Sequence, residues 1–184
     1  MTTTLTTKRL ILRSLDGSAA DAVRDYYHRN REFLEAWEIK RDDSFYTMEH
    51  HEELLGIDQR LEAVGTQVRL WLFHKDAPET VIGTATLSNI VRGAFQSCYL
   101  GYRIDGELAN QGLMTEALQA LIEHAFTEMG LYRIEANIMP HNEPSLRVVA
   151  KLGFYEEGRA IKYLRINGVW EDHIHMVLRN TKME

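Results

Sequence analysis

The sequence has 184 residues, of which 45% are hydrophobic, enough for one core of ordinary size but hardly for two. Its formal net charge of −6 argues against a nucleic-acid partner, because phosphate backbones select basic surfaces. A single cysteine, Cys98, excludes an internal disulfide, and no Cys/His spacing resembles a metal site. No stretch approaches the roughly 18 consecutive apolar residues of a membrane span. We therefore expect one cytoplasmic domain over residues 1–184, without metal or membrane contact.

The first third of the chain predicts one strand and two helical regions. Residues 9–13 are short and β-compatible, and turn and N-cap residues follow at 16–18. A helical region is expected over residues 18–37. A second is expected over residues 47–63, where apolar residues recur at helical spacing among charged ones.

The rest of the chain predicts six strands and two helices. Strand candidates at 68–74, 81–90 and 98–104, separated by turns at 76–79 and 92–93, indicate an antiparallel meander. The strongest helical pattern begins near Met114 and stops at Gly130. The remaining predictions are a strand at 133–139, a helix at 142–152, and strands at 154–166 and 169–178 joined by an Asn-Gly turn. The order β-α-α-β-β-β-α-β-α-β-β predicts a mixed α/β fold on one sheet.

The first candidate site is the connection between the third meander strand and the long helix. Its polar loop reaches Gly112 at the helix start, where backbone N–H groups lack intrahelical partners and a glycine lets an anion approach closely. A diphosphate would fit there. The spacing is neither a P-loop nor a dinucleotide fingerprint, and such connections also need a flexible residue for purely structural reasons.

The second candidate site follows the strand at 133–139. Asn142 is placed to cap a helix with Pro144 in its first turn. The functional interpretation, which is compatible with capping, is that the Asn142 amide and the Ser145 hydroxyl face the same cleft as Gly112. Ser145 lacks the sequence context of a hydrolase nucleophile.

These segments closely resemble the GCN5-related N-acetyltransferases. The matching segments are 100–104 (LGYRI), 110–117 (NQGLMTEA), 142–145 (NEPS) and 152–154 (LGF). Residues 139–142, 152–158 and 167–173 resemble especially the bacterial ribosomal-protein N-terminal acetyltransferases that act on alanine. The resemblance extends from Arg9 to about Leu178 and implies a mainly antiparallel central sheet flanked by helices.

The resemblance also implies acetyl-CoA as cosubstrate. The implied binding residues are Tyr102, Arg103 and Ile104, pairing through their backbone with the pantetheine arm; Asn110, Gln111, Gly112, Leu113, Met114 and Thr115 around the pyrophosphate; and Asn142 and Ser145 opposite. Two positions depart from the family pattern. Ala109 stands where the family has Gln or Arg, and Met114 where it has Gly or Ala, which puts one polar phosphate contact in doubt.

For catalysis, the resemblance places Ser145 as the general acid that protonates the departing thiolate. The general base is unassigned. Relatives that act on N-terminal serine carry a carboxylate at the position we match to Leu164. The fallback candidates are Tyr99, Glu107, Asp172 and His173.

Three functions remain open at this point. The first is acetylation of the N-terminal α-amine of a ribosomal or other protein, whose first residue, as the resemblance implies, is alanine. The second is acetylation of a small amine such as a polyamine, an amino acid or an antibiotic. The third is a non-catalytic module that binds acyl-CoA or a ribosome-assembly partner. Acidic residues of the first two helical regions suit a basic protein or a polyamine equally well.

Overall fold

A computed structural model describes residues 2–184. Its helices are α1 (Ala20–Arg29), α2 (Arg31–Glu35), α3 (Met48–Ala63), α4 (Leu113–Thr127) and α5 (Glu143–Lys151). Its strands are β1 (Thr4–Thr6), β2 (Leu10–Arg13), β3 (Val68–His74), β4 (Ala77–Val91), β5 (Ser97–Ile104), β6 (Arg133–Ile138), β7 (Tyr155–Ile166) and β8 (Val169–Arg179). None of the helices within residues 2–184 is long and apolar enough to cross a membrane.

The eight strands form one sheet in the order β1-β2-β3-β4-β5-β6-β8-β7. Every neighbouring pair is antiparallel except β5 and β6, which run parallel. A parallel pair needs a crossover connection, and α4 supplies it. The crossover therefore delivers the N-terminus of α4 to the end of β5.

Two apolar layers cover the sheet. On one face, α4 and α5 pack on alternate residues of the central strands, with Leu70, Leu118 and Ile134 fully buried. On the other face, α1 and α3 pack around Trp71, with Tyr26 and Tyr27 beside its ring. This division follows from the period-2 alternation of strand side chains.

The predicted fold class, the meander and the long helix are confirmed. The hairpin turn is confirmed too, since Asn167 and Gly168 have φ of +45° and +83°, as a two-residue turn of the favoured type requires. Most predicted boundaries agree within one to three residues. Cys98 is buried, and burial raises the pKa of its thiol to about 12.

Three expectations need correction. The order lacked β1, which pairs with β2. The helical region at 18–37 is not continuous: a 3-10 turn precedes α1, a break at Asn30 separates α1 from α2, and α2 ends at Glu35. The turn placed at 76–79 is shorter, because β4 begins at Ala77 with an irregular register against β3.

Candidate active site

The parallel strands β5 and β6 separate beyond their first three residue pairs. Pairing runs from Ser97↔Arg133 to Tyr99↔Glu135 and stops there, while each strand stays paired with its other neighbour. Residues 100–104 therefore present an edge of backbone N–H and C=O groups to an open split in the sheet. Because such groups need partners, an extended ligand can add itself there as a pseudo-strand.

Tyr102 and Ser145 meet on the α5 side of this split. The Tyr102 hydroxyl lies 2.6 Å from Oγ of Ser145 and 3.1 Å from the Ser145 carbonyl oxygen. Burial raises the pKa of Tyr102 to about 12, although its bond to Ser145 acts in the opposite direction. Both hydroxyls therefore carry protons at neutral pH.

Asn142 has the capping role expected from the sequence. Its Oδ1 accepts a hydrogen bond from the Ser145 N–H at 3.3 Å, at the N-terminus of α5. This bond uses the oxygen and leaves the amide NH₂ group available as a donor. Capping and ligand binding by Asn142 are therefore compatible.

The loop before α4 has the geometry of an anion site. Gly112 has φ of +75° and caps α4 without a side-chain bond, and Asn110 is also left-handed at +63°. The N–H groups of residues 113–115 donate to no acceptor within residues 2–184. A Cβ at Gly112 would meet only Arg9 Nη2, at 3.6 Å. The loop thus has both donors and open space for a diphosphate.

Arg9 and Glu116 fix the start of α4 to the β1–β2 turn. Glu116 accepts bonds from the Thr7 hydroxyl at 2.6 Å, the Arg9 backbone N–H at 2.7 Å and Arg9 Nε at 2.7 Å. Burial opposes ionisation, but these bonds lower the pKa of Glu116 to about 2. Arg9 Nη1 also donates to the Gln111 carbonyl at 3.1 Å. Arg9 therefore places a guanidinium against the Gly112 loop. Residue 109 of that loop is alanine, so the loop has no cationic side chain at that position.

The side chain of Arg103 points away from Tyr102, to the opposite face of the sheet. Its Nη1 donates to the Tyr27 hydroxyl at 2.6 Å, and its Nε lies 2.6 Å from Glu38 Oε1. Burial lowers its pKa, but the neighbouring Tyr27 and Glu38 raise it above the ordinary value. Only the backbone of Arg103 is thus available at the split.

Beside the split, the face opposite α4 and α5 carries polar side chains. We call the set of Tyr99, Glu135, His173 and His175, of which Glu135 and His173 are buried, the polar face. Nearby, the Asn167 N–H donates to the Glu38 carbonyl at 3.1 Å, and the rings of Trp37 and His141 lie 5.9 Å apart. The hairpin turn and the segment after α2 therefore frame the approach to this face.

The fallback bases are dispersed. Tyr99 and His173 lie on the polar face, but His173 is only 3% exposed and burial lowers its pKa. Asp172 accepts from the Lys162 N–H and from Arg159, and these bonds lower its pKa. Glu107 lies in an exposed 3-10 turn before α4. The structure gathers none of them with Ser145 as a hydrogen-bonded pair.

Sequence reasoning missed two polar contacts near the candidate site. One is the ion pair between Arg9 and Glu116. The other is the contact between His175 Nδ1 and Glu135 Oε1, which are 2.7 Å apart. Their partners are distant along the chain, so no local spacing marks them. Within residues 2–184, no three His, Cys, Asp or Glu side chains are grouped to hold a metal ion.

Comparison with known proteins agrees with this geometry. The Acetyltransferase (GNAT) domain family matches residues 9–155. The chain is 42% identical over 170 residues, 92% of its length and 87% of the relative, to the [Ribosomal protein uS5]-alanine N-acetyltransferase of Escherichia coli. The ribosomal-protein-S5-alanine acetyltransferase of Vibrio fischeri superposes with a TM-score of 0.93, at 35% identity and 99% coverage of both chains.

A second solved structure contains coenzyme A. RimJ of Mycobacterium smegmatis, in complex with CoA-disulfide, is similar with a TM-score of 0.90 and 26% identity, over 99% of this chain and 88% of that one. The matched family spans the split, the Gly112 loop and the first turn of α5. The chain therefore belongs to the GNAT acetyltransferase family and is an acetyl-CoA-dependent acyltransferase.

Proposed function

We propose that this enzyme transfers the acetyl group of acetyl-CoA to the N-terminal α-amine of a ribosomal protein, and that the first residue of the acceptor is alanine. The observation that carries this proposal is the 42% identity, over 92% of the chain, to an enzyme named for alanine of ribosomal protein uS5. We further propose that residues 1–184 form a single catalytic domain that works in the cytoplasm.

The cosubstrate would be held by backbone groups more than by side chains. The N–H groups of residues 113–115 and the open space at Gly112 suit the diphosphate. The free edge of residues 102–104 suits the amide-bearing pantetheine arm, with the Asn142 NH₂ group as a donor from the other side. When bound, acetyl-CoA supplies an activated thioester carbonyl.

The hydroxyl pair of Tyr102 and Ser145 would donate the proton that the leaving sulfur requires. If the Tyr102 proton is directed at Ser145 Oγ, the Ser145 proton is free to be donated. Tyr102 can then replace it across 2.6 Å. A backbone N–H of residues 102–104 would stabilise the developing negative charge on the carbonyl oxygen.

Leu164 supports the choice of alanine. It is 44% exposed, is paired with Glu171 of β8, and follows Tyr163, whose ring contacts His173 and His175. A leucine there offers no partner for a serine hydroxyl. A small apolar side chain is expected to be preferred, by about 10²-fold at most.

Peptides that differ only in their first residue test this proposal. We would compare kcat/KM for Ala, Ser, Met and Asp peptides with spermidine and free amino acids as acceptors. Alanine peptides should give the highest value. Spermidine outperforming every peptide would replace the protein acceptor with a small amine, and acetyl-CoA binding without transfer to any acceptor would indicate a binding module.

A further inference from the structure

The polar face contains a histidine whose tautomer is set by a carboxylate. Nδ1 of His175 lies 2.7 Å from Oε1 of Glu135. Burial raises the pKa of Glu135, but hydrogen bonds from Arg133 and His175 lower it below its ordinary value. An ionised carboxylate only accepts hydrogen bonds. The proton of neutral His175 therefore resides on Nδ1, and Nε2 carries the lone pair.

The lone pair on Nε2 has no partner of its own. Nε2 makes no hydrogen bond within residues 2–184, and it is not among the buried, unpartnered atoms of that part of the chain. The His175 side chain is 25% exposed. The ring of Tyr163 packs edge-on at 5.3 Å and limits its rotation. The imidazole is thus oriented, basic and accessible.

His175 lies on β8, which is separated from the split by β6. Glu135 belongs to the last pair between β5 and β6, and His175 is opposite Asn137, two residues further along β6. Tyr102 and Ser145 flank the split from the α5 side. The Ser145 hydroxyl thus lies on one face of the sheet beside the split, and His175 lies on the other face, across β6.

The charged groups near His175 carry a net negative charge. Arg133 lies 2.6 Å from both Glu135 and Glu157, so one guanidinium faces two carboxylates. A proton on His175 neutralises the remaining negative charge. An imidazole is suited to this exchange because its ordinary pKa of about 6.5 is close to the working pH.

We propose that His175 is the general base of the reaction and that Glu135 is its positioning residue. The proposal rests on acetyl transfer to an amine as the function of this site. The neutral amine nitrogen forms a bond to the carbonyl carbon, and its surplus proton passes to His175 Nε2. The carbon–sulfur bond breaks, its electron pair leaves with the sulfur, and Ser145 donates the proton that completes the thiol.

The first test is His175→Gln. With whichever amine the wild type acetylates best, kcat should fall by about 10²–10⁴-fold, while the calorimetric Kd for acetyl-CoA stays within twofold. His74→Gln is the matched control, because His74 also lies beside a carboxylate, with Nδ1 3.5 Å from Asp76, but at the end of β3. A folded His175→Gln enzyme with wild-type kcat would exclude His175 as the base.

The pH dependence gives a second readout. Below neutrality, log kcat/KM of the wild type should approach a slope of 2, because both the amine and His175 must lose protons, and the His175→Gln profile should approach 1. The other titratable or charged groups around His175 are Tyr99 on β5, Glu135 and Arg133 on β6, Glu157 and Tyr163 on β7, and His173 on β8. If the slope fell to 1 in His173→Gln but stayed at 2 in His175→Gln, the base would be His173 instead.

Nitrogen NMR of the free enzyme tests Glu135 without any turnover. Wild-type His175 should be the Nδ1–H tautomer, and Glu135→Gln should lower the population of that tautomer because a neutral amide accepts a hydrogen bond more weakly than a carboxylate. An Nε2–H tautomer in the wild type would overturn the proposal. The proposed substrate is tested separately by comparing kcat/KM of the wild type for different acceptors. The two tests are independent because each variant is compared with the wild type on a single amine.

Discussion

The hydroxyl groups of Tyr102 and Ser145 lie 2.6 Å apart and join the open edge of β5 to the first turn of α5. Both belong to segments singled out from the sequence, but their contact spans 43 residues. The pair combines a capped helix terminus with a buried phenol. The backbone N–H of Ser145 has a structural role, because it donates to the capping Asn142, whereas its hydroxyl contacts Tyr102 and is available for a chemical role.

Ser145→Ala should lower kcat by about 10²–10⁴-fold, as loss of a proton donor predicts. The Kd for acetyl-CoA should rise by no more than about tenfold, the value of one neutral hydrogen bond. Thiol release and calorimetry measure the two quantities. Tyr102→Phe should give a smaller loss, and the double variant should lose less than the product of the two, because the hydroxyls act in series. Unchanged kcat in Ser145→Ala would leave Ser145 with a structural role alone.

Gly112→Val should weaken acetyl-CoA binding by roughly tenfold or more, because its side chain would cover amides that bind the diphosphate. Gly130→Val is the matched control. Gly130 has φ of +63° against +75° for Gly112, and a Cβ there would also find open space. Both variants bear a similar backbone cost of about 1–2 kcal/mol. Equal Kd values in the two folded variants would place the diphosphate elsewhere.

Arg103→Met should destabilise the fold by about 3 kcal/mol, because it leaves the Glu38 carboxylate without one of its two guanidinium partners in a largely buried setting. Its Kd for acetyl-CoA should change little, since the side chain faces Tyr27. Denaturant unfolding and calorimetry check both points. The double variant with Glu38→Gln should recover part of the lost stability. A large loss of acetyl-CoA affinity in folded Arg103→Met would instead assign the side chain to the cosubstrate.

Local signals explain which elements could be predicted. The periodicity of α4, the Asn167-Gly168 turn and the Asn142 cap each depend on residues within a few positions of one another, and each is present. β1 was missed because it has three residues and is stabilised by pairing with β2. The helical pattern over residues 18–37 concealed the break at Asn30, whose side chain bonds Asp105 across the fold.

The polar arrangement of the site has no such local signal. Arg9 and Glu116 are separated by 107 residues, and Glu135 and His175 by 40. Each residue alone resembles an ordinary surface charge. The resemblance of the chain to its family predicted a cosubstrate role for the Gly112 loop and a catalytic role for Ser145, because both belong to short motifs. It gave no signal for the contact between Glu135 and His175, because that contact depends on two strands meeting.

His51 makes the stability of the fold depend on pH. It is fully buried, stacks on Tyr27, and neither ring nitrogen has a hydrogen-bond partner within residues 2–184. Burial, aided by nearby His50 and Arg41, lowers its pKa from 6.5 to about 4. Below about pH 6.5 the unfolded chain therefore binds a proton at His51, whereas the folded chain binds it only below about pH 4. From pH 7.5 to pH 5, this group should cost about 2 kcal/mol of stability.

His51→Leu isolates that contribution. Other groups also titrate in this range, so the informative quantity is the difference between variant and wild type in the free energy of unfolding at each pH. The variant should lose about 2 kcal/mol less than the wild type over the same interval. Parallel pH dependences for the two proteins would mean that His51 is protonated equally in both states.

Leu164→Glu should change the acceptor preference. Leu164 is partly exposed and follows Tyr163, whose ring contacts His173. A carboxylate there can accept a hydrogen bond from a serine hydroxyl, and a site built to bind a hydroxyl discriminates more strongly than an apolar one. The ratio of kcat/KM for Ser over Ala peptides should therefore rise at least tenfold. Ile161→Glu is the control, because Ile161 is 76% exposed on the same strand and the substitution adds the same charge to β7. If both variants shift the ratio equally, the added charge alone is responsible; if neither does, Leu164 does not contact the first residue of the acceptor.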